Sequence, residues 1–265
     1  MSTPPSSTST SSLVLTSHLI PPSPAPESLP RSRLFSLLDR GLTVRLTLLS
    51  APPGYGKTTL LAQWLAVRSQ SHAPRRPRGP LFAWYKVSEA DNAPLTFVEG
   101  LAASVTRLHP AVGQALQGEI RDFITPQRNF RQAVGLLVNT LASLDPASFV
   151  IVLDDLEHLT SPDSQEVLQY LLEHLPDNGH LYLLTRVDPP LPLPRLRVRG
   201  QLLELRAAEL RFTDEEMTAF LRQAPGPNLS PAEVAELTTR AEGWAAPLWL
   251  AANALSRFTA SLDDV

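Results

Sequence analysis

The stretch Ala51-Pro-Pro-Gly-Tyr-Gly-Lys-Thr-Thr59 constrains this chain more than any other. It fits the phosphate-binding pattern G-x-x-x-x-G-K-[ST] at every fixed position except the first, where alanine stands for glycine. Such a loop works between a strand and a helix. Gly54 and Gly56 let successive backbone N–H groups turn toward phosphate oxygens, and a helix starting at Lys57 aims its positive end at them. The flanks agree. Val44 to Ser50 is an apolar strand pattern, and Leu60, Leu61, Trp64 and Leu65 recur at helical spacing in a helix expected from Lys57 to about Gln70. Pro53, Gly54, Tyr55, Gly56, Lys57, Thr58 and Thr59 are therefore expected to cradle a nucleoside triphosphate, namely ATP with Mg2+. Lys57 would bridge the β- and γ-phosphates, the Thr58 hydroxyl would ligate the metal, and Thr59 would lie near the α-phosphate. The competing reading is a glycine-rich turn that merely contains Lys-Thr; the strand before it and the helix after it favour phosphate binding.

A phosphate loop calls for an acidic residue at the end of a buried strand. Phe149-Val-Ile-Val-Leu-Asp-Asp155 supplies one: Asp154 is expected to hold the metal, and Asp155 to position or deprotonate the water that attacks the γ-phosphate. Alone this could be an ordinary acidic loop. The interval between Lys57 and Asp154 has room for the strand at 81–87, which favours the P-loop class with an extra strand between the two motif strands. A further buried strand, Leu181 to Thr185, ends at Arg186, whose guanidinium is expected to sense the γ-phosphate, with a solvated arginine as the alternative.

The pattern as a whole predicts an α/β fold, a P-loop NTPase of the ASCE type, with a parallel sheet of about four or five strands flanked by helices. Helices are expected at Pro94 to Leu108 and at about Phe130 to Leu144. Beyond Leu205 helical segments follow at about 213–222, 231–241 and 244–256, which suggests a small helical subdomain. The expected divisions are a disordered Ser/Thr/Pro-rich leader at 1–30, the NTPase domain at 31–206 and the helical subdomain at 207–265.

With 43% apolar residues and a formal charge of −3, the chain should be globular and lacks the overall basic surface of a nucleic-acid-binding domain. It has no cysteine, which excludes disulfides, thiolate zinc sites and cysteine nucleophiles, and no signal peptide or membrane span is read; a cytoplasmic location is expected. Arg195, Arg197 and Arg199 alternate and would share one side of an extended segment, a solvated edge, with contact to phosphate or an acidic partner surface as the alternative. Arg75, Arg76 and Arg78 form an unassigned loop cluster. The six histidines make no zinc motif, and Trp244, Leu248, Trp249 and Leu250 read as core of a last helix.

With these elements placed, the chain resembles the nucleotide-binding module of MalT-like (LuxR-type) bacterial transcriptional activators, members of the STAND class of P-loop signal-transduction ATPases. The resemblance rests on Leu29-Pro-Arg-Ser-Arg-Leu34, the segment Ser50 to Leu65, Asp91-Asn92, Asp154-Asp155, Thr185 to Leu191, Gly200 to Arg206, Leu210 to Thr213 and Glu242-Gly-Trp-Ala-Ala246. It implies that ATP binding and slow hydrolysis switch the molecule between an ADP-bound resting form and a self-associated ATP-bound form. It also implies that Pro30, Arg31 and Arg33 lie on the adenine side of the nucleotide, and that Pro247 stands near a nucleotide-touching element of the family, at an altered spacing. Relatives have histidine shortly after the acidic pair; here His158 is displaced by one residue. Family members continue into winged-helix, repeat and DNA-binding helix-turn-helix parts, none of which falls before Val265, so the chain is expected to be a fragment or a shortened gene product, with DNA contacted only through an absent domain. The alternatives are a P-loop small-molecule kinase and a non-hydrolysing scaffold that binds nucleotide for stability.

Overall fold

The computed structural model describes residues 14–25, 28–70, 80–108, 130–143, 148–223, 230–241 and 243–244. Its centre is a parallel sheet of β1 (Leu46–Ser50), β2 (Leu81–Lys86), β3 (Phe149–Asp154), β4 (Gly179–Thr185) and β5 (Leu202–Arg206), in the order β2-β3-β4-β1-β5. Every residue of β1, β3 and β4 is buried, as continuous apolar strands covered on both faces must be. The expected ASCE class holds, but the strand inserted in space between the two motif strands β1 and β3 is β4. The strand at 81–87 lies outside β3, at the sheet edge.

The period-two alternation of each strand divides the core. Leu46, Leu48, Ile151, Leu153, Leu181 and Leu183 face a layer formed by α3 (Pro94–Thr106), α4 (Phe130–Ala142) and α5 (Pro162–His174). Leu49, Val150, Val152, Tyr182, Leu184 and Leu205 face α1 (Ser32–Arg40) and α2 (Lys57–Gln70). On that second side Trp64 stacks on Tyr182 at 5.4 Å, its indole N–H donates to Asp39 at 2.8 Å, and the Tyr182 hydroxyl donates to the Leu38 carbonyl at 2.7 Å. Two large aromatic rings are thus buried with their polar atoms satisfied.

Within the expected leader, Thr16–Leu19 form a 3-10 turn, and Val14 and Leu19 pack on the first core layer. Residues 1–13 lie outside the described residues. Arg195, Arg197 and Arg199 do not share an extended edge. Pro192-Leu-Pro194 opens a short helix, α6 (Leu193–Val198), that carries Arg195 and Arg197, with Arg199 as its C-cap, and Arg197 pairs with Glu204 at 2.9 Å. Proline in the first turn fits a helix start, since its missing N–H has no helical partner there. Arg75, Arg76 and Arg78 lie outside the described residues.

After β5 the chain continues through α7 (Ala207–Leu210) into α8 (Asp214–Gln223) and α9 (Pro231–Ala241). Met217, Phe220, Leu221 and Ala241 form a separate small core there, with Leu29 and Phe212 packed against it. The segment expected as a third helix is described only at Gly243 and Trp244, so Leu248, Trp249, Leu250 and Pro247 lie outside the described residues. Among the described residues no helix is long and apolar enough to cross a membrane.

Candidate functional site

The C-terminal ends of β1, β3 and β4 lie side by side, where ligands bind in open parallel sheets. The loop after β1 holds Gly54 at φ 83° and Gly56 at φ 72°, conformations that L side chains rarely adopt. A Cβ at Gly56 would meet nothing within 4 Å, so Gly56 serves backbone direction and an open approach. Helix α2 begins at Lys57, which puts its N-terminal N–H groups at the end of the loop.

Lys57 donates to the carbonyls of Ala51 at 2.6 Å and Pro52 at 3.2 Å. Burial lowers its pKa; the Glu157 carboxylate opposes this, Arg186 adds to it, and Asp154 and Asp155 oppose it further. All four charged groups therefore act on this one ammonium. The Thr58 hydroxyl donates to Asp154 Oδ1 at 3.0 Å, and the Asp155 backbone N–H donates to the same oxygen at 3.0 Å. Asp155 has φ 54°, turning the chain from β3 into a 3-10 turn at Leu156–His158, and its carboxylate pairs with Lys86 at 3.3 Å. Arg186 pairs with Glu157 at 2.5 Å. The structure thus gathers Lys57, Thr58, Asp154, Asp155 and Arg186 into one constellation. Thr59 is exposed on the first turn of α2.

Asp154 is only 3% exposed, and burial together with the adjacent Asp155 pushes its carboxyl up to about 6. Folding without a cation therefore opposes ionisation. The folded protein takes up this proton near pH 6 and the unfolded chain near pH 3.8, so stability from this group rises on acidification from pH 7 toward pH 4. The difference corresponds to about 3 kcal/mol at neutral pH. Asp154→Asn is expected to be more stable than the parent in urea unfolding at pH 7 in EDTA, by about 1–3 kcal/mol. The gain should fade below pH 4, and a gain of equal size at both pH values would refute the assignment.

Arg31 and Arg33 stand apart from this group. Arg31 is 3% exposed and donates to the carbonyls of Leu210 at 2.9 Å and Arg211 at 2.6 Å and to Glu216 at 3.3 Å, with its guanidinium 4.3 Å over the Phe212 ring. Arg33 donates to Glu216 at 2.9 Å and to the Glu209 carbonyl at 2.9 Å. Glu216 also accepts from the Thr213 backbone N–H at 3.1 Å, capping α8. These contacts join the start of α1 to the first helices after the sheet.

Several residues here have roles that pattern reading left unassigned or placed otherwise. Trp244, expected as core, is 42% exposed; it stacks on Tyr55 at 6.4 Å and donates to the Pro53 carbonyl at 3.2 Å. Gly243 precedes it at φ 78°, and its carbonyl accepts from Phe212 N–H at 2.9 Å. Asn92 accepts from the backbone N–H groups of Thr160 and Ser161, both at 2.7 Å, and donates to the His158 carbonyl at 2.9 Å, fixing the loop that follows the acidic pair. His158 contributes that carbonyl. Asp188 accepts from Ser50 at 2.9 Å and pairs with Arg206, whose hydrogen bond holds its carboxyl below the usual range.

Residues 30–184 match the AAA ATPase domain. The chain belongs to that family. It is 30% identical over 236 residues to the HTH-type transcriptional regulator MalT of Cronobacter sakazakii, which covers 88% of this chain and 24% of MalT. It is 34% identical over 248 residues to the serine/threonine-protein kinase PknK of Mycobacterium tuberculosis, covering 89% of this chain and 21% of PknK. The chain thus spans about a quarter of the length of these curated relatives. Its fold is similar to that of PH0952 from Pyrococcus horikoshii, a STAND protein with a tetratricopeptide repeat sensor, with a TM-score of 0.58 at 17% identity over 84% of this chain and 29% of that one. The Aeropyrum pernix ORC1 protein, solved in complex with DNA, shares the fold at a TM-score of 0.52 and 20% identity over 84% of this chain and 59% of that one. The AAA ATPase domain implies nucleotide binding.

Proposed function

We propose that this chain is the nucleotide-dependent switch of a MalT-like transcriptional regulator, a STAND-type module that binds ATP and hydrolyses it slowly. The observation that carries this reading is the gathering of Lys57, Thr58, Asp154, Asp155 and Arg186 around one loop whose Tyr55 and Pro53 touch Trp244, beyond α9. A change at the loop therefore has a direct contact with the chain that follows the sheet. That two relatives as unlike as a transcriptional regulator and a protein kinase carry a matching segment supports a control module over a substrate-specific enzyme.

The loop N–H groups and the start of α2 would bind the phosphates. Lys57 would exchange the carbonyls of Ala51 and Pro52 for β- and γ-phosphate oxygens. Thr58 and Asp154 are adjacent oxygen donors of the kind that suits Mg2+, which keeps most of its shell as phosphate oxygen and water. Bound there, the cation would neutralise charge developing between the β- and γ-phosphates. Asp155 would orient the attacking water once released from Lys86. Arg31 and Arg33 would act near the adenine through the backbone they anchor. The ATP-bound form would self-associate, and DNA would be reached through a domain beyond this chain.

Sedimentation velocity with Mg2+ and either ADP or the β,γ-imido analogue of ATP tests the switch. Self-association is expected with the analogue alone, and ATP turnover slower than about one per minute, well below ordinary enzyme rates. Identical sedimentation with both nucleotides would support a scaffold. Phosphoryl transfer to an acceptor other than water would support a kinase.

A further inference from the structure

Glu157 has no place in the phosphate-binding pattern, yet it is the charge with the largest influence on Lys57. It follows β3 by three residues, in the 3-10 turn that Asp155 opens, and Arg186 directly follows β4. Strands β3 and β4 are parallel neighbours, so their ends bring the two side chains together. One Glu157 oxygen accepts from the Arg186 backbone N–H at 3.2 Å, and the other faces the Arg186 guanidinium at 2.5 Å. That second oxygen is buried and makes no hydrogen bond, so charge alone holds it to the guanidinium. The Glu157 carboxylate is only 14% exposed, while the Arg186 side chain is half exposed at the surface.

We propose that Glu157 tunes how strongly this site favours nucleoside triphosphate over diphosphate, lowering that preference by holding Arg186 back from the phosphate loop until a γ-phosphate draws it across. This rests on the nucleotide-binding reading above and adds the group that sets its selectivity. Both nucleotides present α- and β-phosphates to the loop and to Lys57. Only the triphosphate offers a further dianionic group with three acceptor oxygens, which matches a guanidinium fork better than one carboxylate oxygen does. Breaking the Glu157–Arg186 pair thus subtracts from triphosphate affinity and leaves diphosphate affinity untouched. The pair fixes the triphosphate concentration at which the site responds, since a ligand shifts an equilibrium only by its differential affinity.

Calorimetric titration decides it, with the β,γ-imido analogue of ATP and with ADP, both with Mg2+, on the parent chain, Glu157→Gln, Arg186→Ala and the double variant. Glu157→Gln should tighten the triphosphate analogue about tenfold more than it tightens ADP. Any gain common to both nucleotides reports the loss of a negative charge near phosphate and does not count. The excess should vanish in the Arg186→Ala background, because it acts through that guanidinium. Equal gains for both nucleotides, no gain, or an excess that survives Arg186→Ala would each overturn the proposal while leaving nucleotide binding intact. If the parent chain binds neither nucleotide, the nucleotide reading itself fails and this one with it.

Discussion

Lys57→Ala is expected to lower the affinity for Mg-ATP by a hundredfold or so, about 3 kcal/mol, the scale for removing one member of a charged, hydrogen-bonded contact. The same change should leave thermal stability within about 1 kcal/mol of the parent. The two expectations have one physical basis. The Lys57 ammonium is partly buried at a cost that lowers its pKa, and its partners are two carbonyls of a loop that water also reaches. Removing it relieves as much desolvation as it forfeits hydrogen bonding. Calorimetry and a melting curve on the same sample check both. A variant that unfolds would show the lysine to be structural, and one that retains full affinity would move the phosphate site elsewhere.

Arg31→Ala should have the largest effect on stability. Its guanidinium is almost wholly buried, donates to two carbonyls and the Glu216 carboxylate, and covers the Phe212 ring. Alanine would leave those acceptors unmatched in a space that water enters poorly. Arg33 continues to neutralise Glu216, which limits the loss. A destabilisation of about 3 kcal/mol follows, seen as a melting temperature lower by roughly 6–12 °C for a chain of this size. Arg33→Ala, at a more exposed end of the same network, should cost no more than about 1 kcal/mol. Nucleotide affinity separates two roles for Arg31. Through the backbone alone, the loss of affinity should track the loss of stability and be relieved at low temperature. A direct contact with the base would instead lower affinity with little change in melting temperature.

How far the sequence disclosed this molecule depended on how local each signal was. The loop at 51–59 and the continuous apolar runs of β3 and β4 are contiguous in the chain, and the strand and helix around them follow from spacing that reads directly. Helices α1 and α5 are less legible, because their apolar positions lie between conspicuous motifs. The arginine alternation at 195–199 has the period of a strand, but Pro192 and Pro194 start a helix there. The strand inserted beside β1 is not legible in the sequence, because intervals along the chain carry no information about spatial order. Lys86 meets Asp155 only because β2 pairs with β3 in a register that sets Lys86 opposite Asp154. Trp244 meets Tyr55 across most of the chain, and no periodicity links two such positions. Glu157 did carry a signal, an acidic residue two places beyond Asp155, but it acquires a meaning only when Arg186 arrives on the neighbouring strand.

Residues far from the loop hold the segments around it in place. Asp91 caps the turn after β2, accepting from the Ser88 N–H at 2.7 Å and from the Tyr85 hydroxyl, while Asn92 fastens the turn that carries Glu157. Asp188 joins the end of β1 to β5 through Ser50 and Arg206. Asn92 and Asp188 thereby hold the segments that bear Glu157 and Arg186. The loop, the acidic turn and the Arg186 segment are thereby positioned independently and meet at one point.

The central claim, a single nucleotide site built on the loop after β1, is tested most directly by calorimetric titration of the unmodified chain with Mg-ATP. The account predicts saturable binding at one site per chain, with affinity lost in Lys57→Ala. Absence of binding at millimolar Mg-ATP by a folded chain would contradict it.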